Sequence, residues 1–201
     1  MAFWGTDLVA GDGDPKRKFR WKIQFGGNAN GTDLGVGDGS GVVWFAKTVT
    51  KPEMTVADAE HKFLGHTFKY PGSVTWNDLE IMLVDPVSPD AAKQTLDILH
   101  GAGYRFADAD YLTGPNALYT MAKGGASAAL KPFIISQLDA EGNTIEQWEL
   151  HNPFVTKVGF GDLSYEDDAL SEISLTVKYD WAKWSASGNS EIFKAGYTPG
   201  S

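Results

Sequence analysis

The chain has 201 residues, a formal net charge of −9, 42% hydrophobic residues and no cysteine. This length fits one domain with a substantial core, and the lack of cysteine excludes disulfides, thiolate nucleophiles and cysteine-based zinc sites. The acidic balance disfavours wrapping nucleic acid, and no segment approaches the roughly 18 apolar residues of a transmembrane helix. The first residues also lack the pattern of a signal peptide, which predicts a protein kept in the cytoplasm unless it leaves within a larger particle.

Hydrophobic periodicity organises the first half of the chain. Residues 1–15 are predicted to be an irregular arm. A half-buried strand then begins at Lys16, and its inward positions are Phe19, Trp21, Ile23 and Phe25. The glycine-rich segment Asn28–Gly41 predicts a long loop, and the β-branched and aromatic run Val42–Thr50 predicts a second strand. Residues 51–66 predict a long excursion with room for one helical turn, before a short strand "TFKY" and a "PGS" turn.

The segment "KYPGSVTWNDLEIMLVDP", residues 69–86, predicts a long strand. Leu79, Ile81 and Leu83 fall on an apolar face, whereas Asp78 and Glu80 fall on the other. Because Trp76 shares the parity of these acids, a bulge is expected near Asn77.

The segment "SPDAAKQTLDILHGAG" predicts a single helix over residues 89–100. Ser88 is suited to be the N-cap, and Gly101 or Gly103 ends the helix. The predicted apolar stripe consists of Ala92, Leu96 and Leu99.

The last third predicts more strands. "KPFIISQLDAEGNTIEQWELHNPF" indicates a strand pair around an "AEGN" turn. "SEISLTVKYDW" indicates a final strand, with the inward positions Ile173, Leu175, Val177, Tyr179 and Trp181 and with Glu172 and Asp180 outward. The predicted fold is mainly β (α+β), an antiparallel sandwich or barrel-like subunit with one short helix and long loops. Its parts are an arm (1–15), a β domain (16–184) and a tail (185–201).

Enzymatic signatures are weak. Asp78, Glu80 and Asp85 suggest a glycosidase pair, whose carboxyl groups would lie about 5 Å apart. A solvated sheet face explains the same pattern and is favoured. The sequence contains no phosphate loop, no dinucleotide fingerprint and no G-x-S-x-G element, so the protein is predicted not to be an enzyme and to need no cofactor.

Metal binding is not predicted either. The four histidines, His61, His66, His100 and His151, show no ligand spacing. The glycine-rich loop raises calcium as a candidate through Asn28, Asn30, Asp33 and Asp38, but the EF-hand pattern is absent, and these residue types also favour turns.

The stretch "KRKFRWK" holds five of the 17 basic residues, interleaved with aromatic residues. Such interleaving is also found in platforms for single-stranded nucleic acid. Here the rings fall on the face opposite the charges, which favours burial of the rings. We therefore predict a basic strand edge that docks on an acidic partner, such as a copy of the same chain.

The order of these segments resembles the tail tube proteins of contractile-tailed bacteriophages. The resemblance rests on "KFRWKIQFGG", on "YPGSVTWNDLEIMLVDP" and on "WELHNPFVTKVGFGDLSYEDDALSEISLTVKYDW". It also rests on the spacing, with a long loop at 47–66 and one helix at 89–100. It covers most of residues 16–182. The segments Asn28–Gly41 and Ala107–Ala129 depart from a minimal tube subunit.

The resemblance implies a virion structural protein that forms hexameric rings around a β-barrel lumen. The rings would stack into a tube with sheath, baseplate and tape-measure partners, and DNA would pass through without specific binding during genome ejection. Assembly would take place in the host cytoplasm, with no membrane anchor. The predicted subunit interface is Lys51, Pro52, Met54, Val56, His61, Phe63 and Leu64.

Two alternatives stay open. The first is the inner tube of a related contractile injection machine, such as a secretion-system tube of the hemolysin-coregulated type or a phage-derived bacteriocin. The second is a carbohydrate-binding β-sandwich with Trp44, Trp76 and Trp148 as a stacking platform.

Overall fold

The computed structural model describes residues 16–25, 35–36, 40–41, 46–87, 90–104, 120–166 and 168–186. Within them the chain is mainly β with two short helices, which confirms the predicted fold class. The strands are β1 (Trp21–Gln24), β2 (Gly35–Val36), β3 (Ser40–Gly41), β4 (Ala46–Val49), β5 (Met54–Phe63), β6 (His66–Trp76), β7 (Leu79–Val84), β8 (Ile134–Leu138), β9 (Thr144–His151), β10 (Phe154–Gly159), β11 (Glu172–Lys178) and β12 (Trp181–Ala186). The helices are α1 (Ala91–Gly101) and α2 (Lys123–Leu130).

Eight of the strands form two antiparallel sheets of four. The first sheet has the order β1-β8-β9-β12 and the second the order β10-β11-β7-β4. Side chains from both sheets bury into one core, which contains Ile23 and Leu150 from the first sheet and Ile81 and Leu175 from the second. The predicted apolar face of β7 is confirmed, because Leu79, Ile81 and Leu83 are all buried.

The chain passes from one sheet to the other at two neighbouring corners, one at 152–153 and one at 179–180. Asn152 has a φ of 53°, a conformation that asparagine tolerates better than most residues. Its Nδ2 donates to Asp180 Oδ2 at 2.8 Å, and Lys123 Nζ donates to Asp180 Oδ1 at 2.7 Å. These hydrogen bonds, that of Lys123 first, hold the pKa of Asp180 below its usual value. Asp180 therefore fastens both corners to the start of α2.

The second corner corrects the predicted final strand, which ends at Lys178. Because the chain changes sheets after Tyr179, the inward alternation does not reach Trp181. Trp181 begins β12, is 42% exposed and stacks on the imidazole of His151 with 3.7 Å between ring centroids. The predicted burial is confirmed for Ile173, Leu175, Val177 and Tyr179.

Helix α1 forms where a helix was predicted, but its buried face differs from the predicted one. The N-cap is Asp90, whose Oδ1 accepts a hydrogen bond from Lys93 N at 2.9 Å; Ser88, the predicted N-cap, lies outside the described residues. The buried positions are Ala91, Thr95 and Ile98, whereas the predicted Ala92, Leu96 and Leu99 are half-buried. Helix α1 packs against α2, a second helix that was not predicted from the sequence.

Helix α2 shows that the prediction of a single helix is wrong. Its sequence, KGGASAAL, contains two glycines, which are poor helix formers, so its local pattern is weak. Tertiary packing stabilises it instead, because Ala126, Ala129 and Leu130 are buried in the core.

The segment from Met54 to Trp76 departs furthest from the sequence prediction. It is one long hairpin, β5–β6, without a helical turn, and Pro71, Gly72 and Ser73 lie inside β6 rather than in a turn. The long strand predicted within residues 69–86 is divided in two, because β6 ends at Trp76 and β7 begins at Leu79. Between them, the backbone N–H of Asn77 donates to Glu53 O at 2.9 Å. No bulge forms there.

The N-terminal strand is shorter than predicted. Ile23 and Phe25 are buried, but Phe19 is 74% exposed because the chain turns at residues 17–20 before β1 begins. The arm over 1–15 and nearly all of Asn28–Gly41, including the calcium candidates, lie outside the described residues; the short pair β2–β3 falls inside that predicted loop. Among the helices that the structure describes, none is long and apolar enough to cross a bilayer.

Candidate functional site

The hairpin β5–β6 is the most exposed regular element of the described chain. Its ladder runs from the pair Met54–Trp76 to the pair Phe63–His66, and every residue along both strands is exposed except Trp76, which is half-buried. The turn consists of Leu64 and Gly65, with φ values of 48° and 81°, as a tight hairpin turn requires. Leu64 is 82% exposed although it holds a strained backbone at the tip.

The distal half of the hairpin has one charged face and one aromatic face. Directly paired residues share a face, so Glu60 and Lys69 lie on one side and His61 and Phe68 on the other. On the charged face, Lys69 Nζ lies 3.2 Å from a carboxylate oxygen of Asp58 and 3.4 Å from one of Glu60. The opposite side, which we call the aromatic face, consists of Ala59, His61, Phe63, His66, Phe68 and Tyr70.

The apolar side chains change sides along the hairpin. Near the base, Val56 and Val74 form a pair on the same side of the hairpin as the charged face of the distal half. A bulge produces this exchange on β6, because Gly72 and Ser73 together oppose Ala57. Gly72 suits the bulge, since a Cβ atom there would lie 3.0 Å from the carbonyl oxygen of Ala57.

A buried carboxylate ties the base of the hairpin to the first sheet. Glu146, whose side chain is 8% exposed, accepts hydrogen bonds from Lys16 Nζ, from Lys51 Nζ at 2.8 Å and from Trp148 Nε1 at 2.9 Å. Lys51 also donates to Gln137 Oε1 at 2.5 Å. Burial raises the pKa of Glu146, but the hydrogen bonds from Lys16, Lys51 and Trp148 together outweigh it and bring that pKa to about 2. The carboxylate is therefore ionised at neutral pH.

The predicted interface residues divide into two groups. Lys51 is bonded to Glu146 at the base, with the half-buried Pro52 beside it. The remaining residues lie exposed on the hairpin and are Met54, Val56, His61, Phe63 and Leu64. Whether they contact another subunit remains a prediction. Glu146 and Lys16 were not predicted from the sequence, because no local pattern links positions so far apart in the chain.

Two of the three acids considered for catalysis have partners, and the two partners lie on different elements. Asp78 Oδ2 lies 3.5 Å from Lys178 Nζ, and Asp85 Oδ1 accepts a hydrogen bond from Ala92 N at 3.3 Å, at the start of α1. Glu80 is exposed on β7. This arrangement is the solvated face and terminating turn that the sequence analysis favoured. No group of three or more metal-ligating side chains occurs in the described ranges.

The tryptophans considered for glycan stacking are partly used in packing. Trp76 lies 5.9 Å from Tyr179 between ring centroids, and both Trp76 and Trp148 pack against the core. Trp148 also donates its Nε1–H to Glu146. Trp44 lies outside the described residues. These contacts hold two of the three rings inward.

Solved structures with this fold come from contractile injection systems. A chain in the cryo-EM structure of the PVC sheath/tube terminator matches with a TM-score of 0.60 and 14% identity, over 86% of this chain and 98% of that one. A chain of the PVC sheath-tube complex matches with a TM-score of 0.58 and 14% identity, over 86% and 92%. A chain of the anti-feeding prophage tube terminating cap matches with a TM-score of 0.59 and 14% identity, over 90% and 99%.

No protein-family model matches the sequence, and no curated protein does. At 14% identity the structural matches establish a shared fold. The predicted resemblance to contractile tube proteins is thereby confirmed at the level of the fold.

Proposed function

We propose that the protein is a structural subunit of a contractile tube, forming six-membered rings that stack. The observation that carries the proposal is the hairpin β5–β6, which extends apolar side chains into solvent from both of its faces. A two-stranded hairpin is marginally stable alone in water, so a contact that covers it would stabilise it. The fold shared with chains of sheath-tube and tube-cap structures supports the same role.

In this proposal the hairpin is the main contact between subunits. Met54 and Val56 would pack near its base, and His61, Phe63 and Leu64 near its tip. Lys51 and Pro52 would set the angle of the hairpin, because Lys51 is bonded to Glu146 and Gln137 of the first sheet.

Sheet edges supply the second kind of contact. In the described part of the chain, β1 and β12 border the first sheet, and β4 and β10 border the second. Edge strands present backbone hydrogen-bonding groups that another strand can pair with. Joining these edges around a ring would close the sheets into a continuous barrel.

The lumen of such a tube would guide DNA in a phage tail. The net charge of −9 would repel phosphates and limit sticking. The alternative is a tube in an injection machine without a genome, and the structural matches, two of which come from an extracellular contractile injection system, favour it. Sheath and baseplate proteins are the partners in either case, with a tape-measure protein setting the length of a phage tail.

Electron microscopy with light scattering tests the tube. We expect the purified protein to form rings or stacked tubes with six-fold end views, and a ring mass six times that of the 21.8-kDa subunit. A glycan-binding monomer that stays monomeric at every concentration and beside purified baseplates would overturn the proposal. Immunogold labelling of particles from the encoding organism separates the two kinds of tube, because only a phage tail carries a DNA-filled head.

A further inference from the structure

An acidic segment joins β10 to β11, and its residues 160–166 and 168–170 are exposed. This segment, residues 160–171, is the acidic loop, and its acids are Asp162, Glu166, Asp167 and Asp168. Large apolar side chains stand between the acids: Leu163 is 95% exposed, and Tyr165 is fully exposed. Such side chains held in water beside charges are typical of a surface that a partner covers.

A groove of complementary chemistry lies between β4, at the edge of the second sheet, and β1, β8 and β9 of the first sheet. It has a volume of about 590 Å³, within the roughly 300–1,000 Å³ range of binding pockets. We call it the lysine-rimmed groove, and among its lining residues are Lys16, Lys18, Trp21, Lys47, Lys51 and Trp148. Of the described side chains that line it, Glu146 is the one carboxylate and is bonded to Lys16 and Lys51, while Lys47 is ion-paired with Glu172 beside the groove. Lys16, Lys18, Lys47 and Lys51 together therefore exceed Glu146 and Glu172 by two positive charges.

The acidic loop does not fill the groove of its own chain, because Leu163 and Tyr165 remain exposed. We propose that the acidic loop of one subunit inserts into the lysine-rimmed groove of a second copy. Tyr165 would pack against the tryptophans. Asp162 and Glu166 would face Lys18 and Lys47, and Lys47 would keep Glu172 of its own chain as a second partner. The contact is heterologous, so it repeats from subunit to subunit, as a ring or a stack requires. The inference rests on the proposed function and assigns a second contact, separate from the hairpin.

Charge exchange tests the pairing. We expect Asp162→Lys with Glu166→Lys, and separately Lys18→Glu, each to weaken self-association about tenfold or more at low salt. Lys47 is left unchanged because it is ion-paired with Glu172 of its own chain. The chain carrying all three changes should regain association to within about threefold of the natural chain. Glu141→Lys, an exposed acid in the β8–β9 turn, is the matched control and should leave association unchanged. Equal association of the loop variant and the control would overturn the inference.

A photo-crosslinker makes the test independent of the strength of association. With p-benzoylphenylalanine at position 165 and a mixture of ¹⁴N- and ¹⁵N-labelled chains, we expect mixed-isotope crosslinks to peptides around Trp21, Lys47 or Trp148. The same group at the fully exposed Val87 is the control and should not give these peptides. Absence of such crosslinks at every concentration overturns the inference. If the chain forms tubes without them, only this contact fails; if no ring or tube forms under any condition, the proposed function fails.

Discussion

The two sheets and the hairpin are both built from antiparallel strands, but the sheets bury their side chains and the hairpin exposes them. In β11, alternate side chains are buried against β7 and the core, and the strand is held from three sides. In β5, all residues are exposed, and the strand has one partner, β6. The sheets are therefore stabilised by burial of apolar side chains. The hairpin keeps its shape through backbone hydrogen bonds between β5 and β6, the tight turn at its tip and the bond of Lys51 to Glu146 at its base. This difference separates residues that hold the subunit together from residues available for contact.

The largest expected effect is in the core of the sheets. Leu175→Ala in β11 removes a side chain that is 2% exposed, and we expect a loss of about 2–5 kcal/mol in the free energy of unfolding. Denaturant unfolding measures the loss. A change below about 1 kcal/mol would show that the sheets are not the stabilising region.

The next effect concerns the anchor between the two regions. We expect Glu146→Gln to lower the free energy of unfolding by about 2 kcal/mol at pH 7, somewhat below the ~3 kcal/mol that the pKa depression implies, because both lysines are half in solvent. The folded pKa of about 2 lies below the ordinary 4.5. The contribution is therefore complete above pH 4.5 and is lost as the pH falls towards 2.

Unfolding measured from pH 2 to pH 7 checks this sign. The curves of the natural chain and Glu146→Gln should converge at the acid end and separate as the pH rises. Glu149→Gln, on the same strand, removes a half-buried carboxylate and serves as the control. A difference between the natural chain and Glu146→Gln that grows towards acid pH would contradict the expectation.

On the hairpin, stability and assembly should separate. Phe63→Ser with Phe68→Ser removes two exposed rings of the aromatic face, so the free energy of unfolding should change by less than about 1 kcal/mol. Ring or tube formation, followed by light scattering, should be lost. Lys62→Ser, on the charged face, is the matched control and should assemble normally. Normal assembly of the double variant would remove the hairpin from the interface.

The smallest expected effect is on the charged face itself. Lys69→Ala breaks two ion pairs between exposed side chains, so we expect at most about 0.5 kcal/mol, falling further in high salt. Denaturant unfolding at low and high salt measures it. A loss above 1 kcal/mol would mean that this face is stabilised more like the sheets.

The sequence predicted those strands in which burial of one face makes apolar and polar residues alternate. The alternation in β7 and in β11 as far as Tyr179 was recovered, because one face of each strand must be apolar. The hairpin could not be recovered in this way, since neither of its faces packs against a core. Helix α2 depends on tertiary packing, and the bonds of Glu146 with Lys16 and Lys51 join residues more than 90 positions apart. No local sequence pattern therefore predicts helix α2 or the bonds of Glu146 with the two lysines.

The change of faces at Gly72 would also matter to a free chain, before the proposed contact between subunits forms. If Phe68 and Tyr70 lay on the same side as Val74, β6 would carry one continuous apolar stripe along its length. An exposed strand of that kind promotes aggregation with other exposed strands. The bulge divides that stripe into two short patches on opposite sides, each beside polar or charged residues. If the proposed assembly is right, this division would limit the aggregation of free subunits before they join a ring.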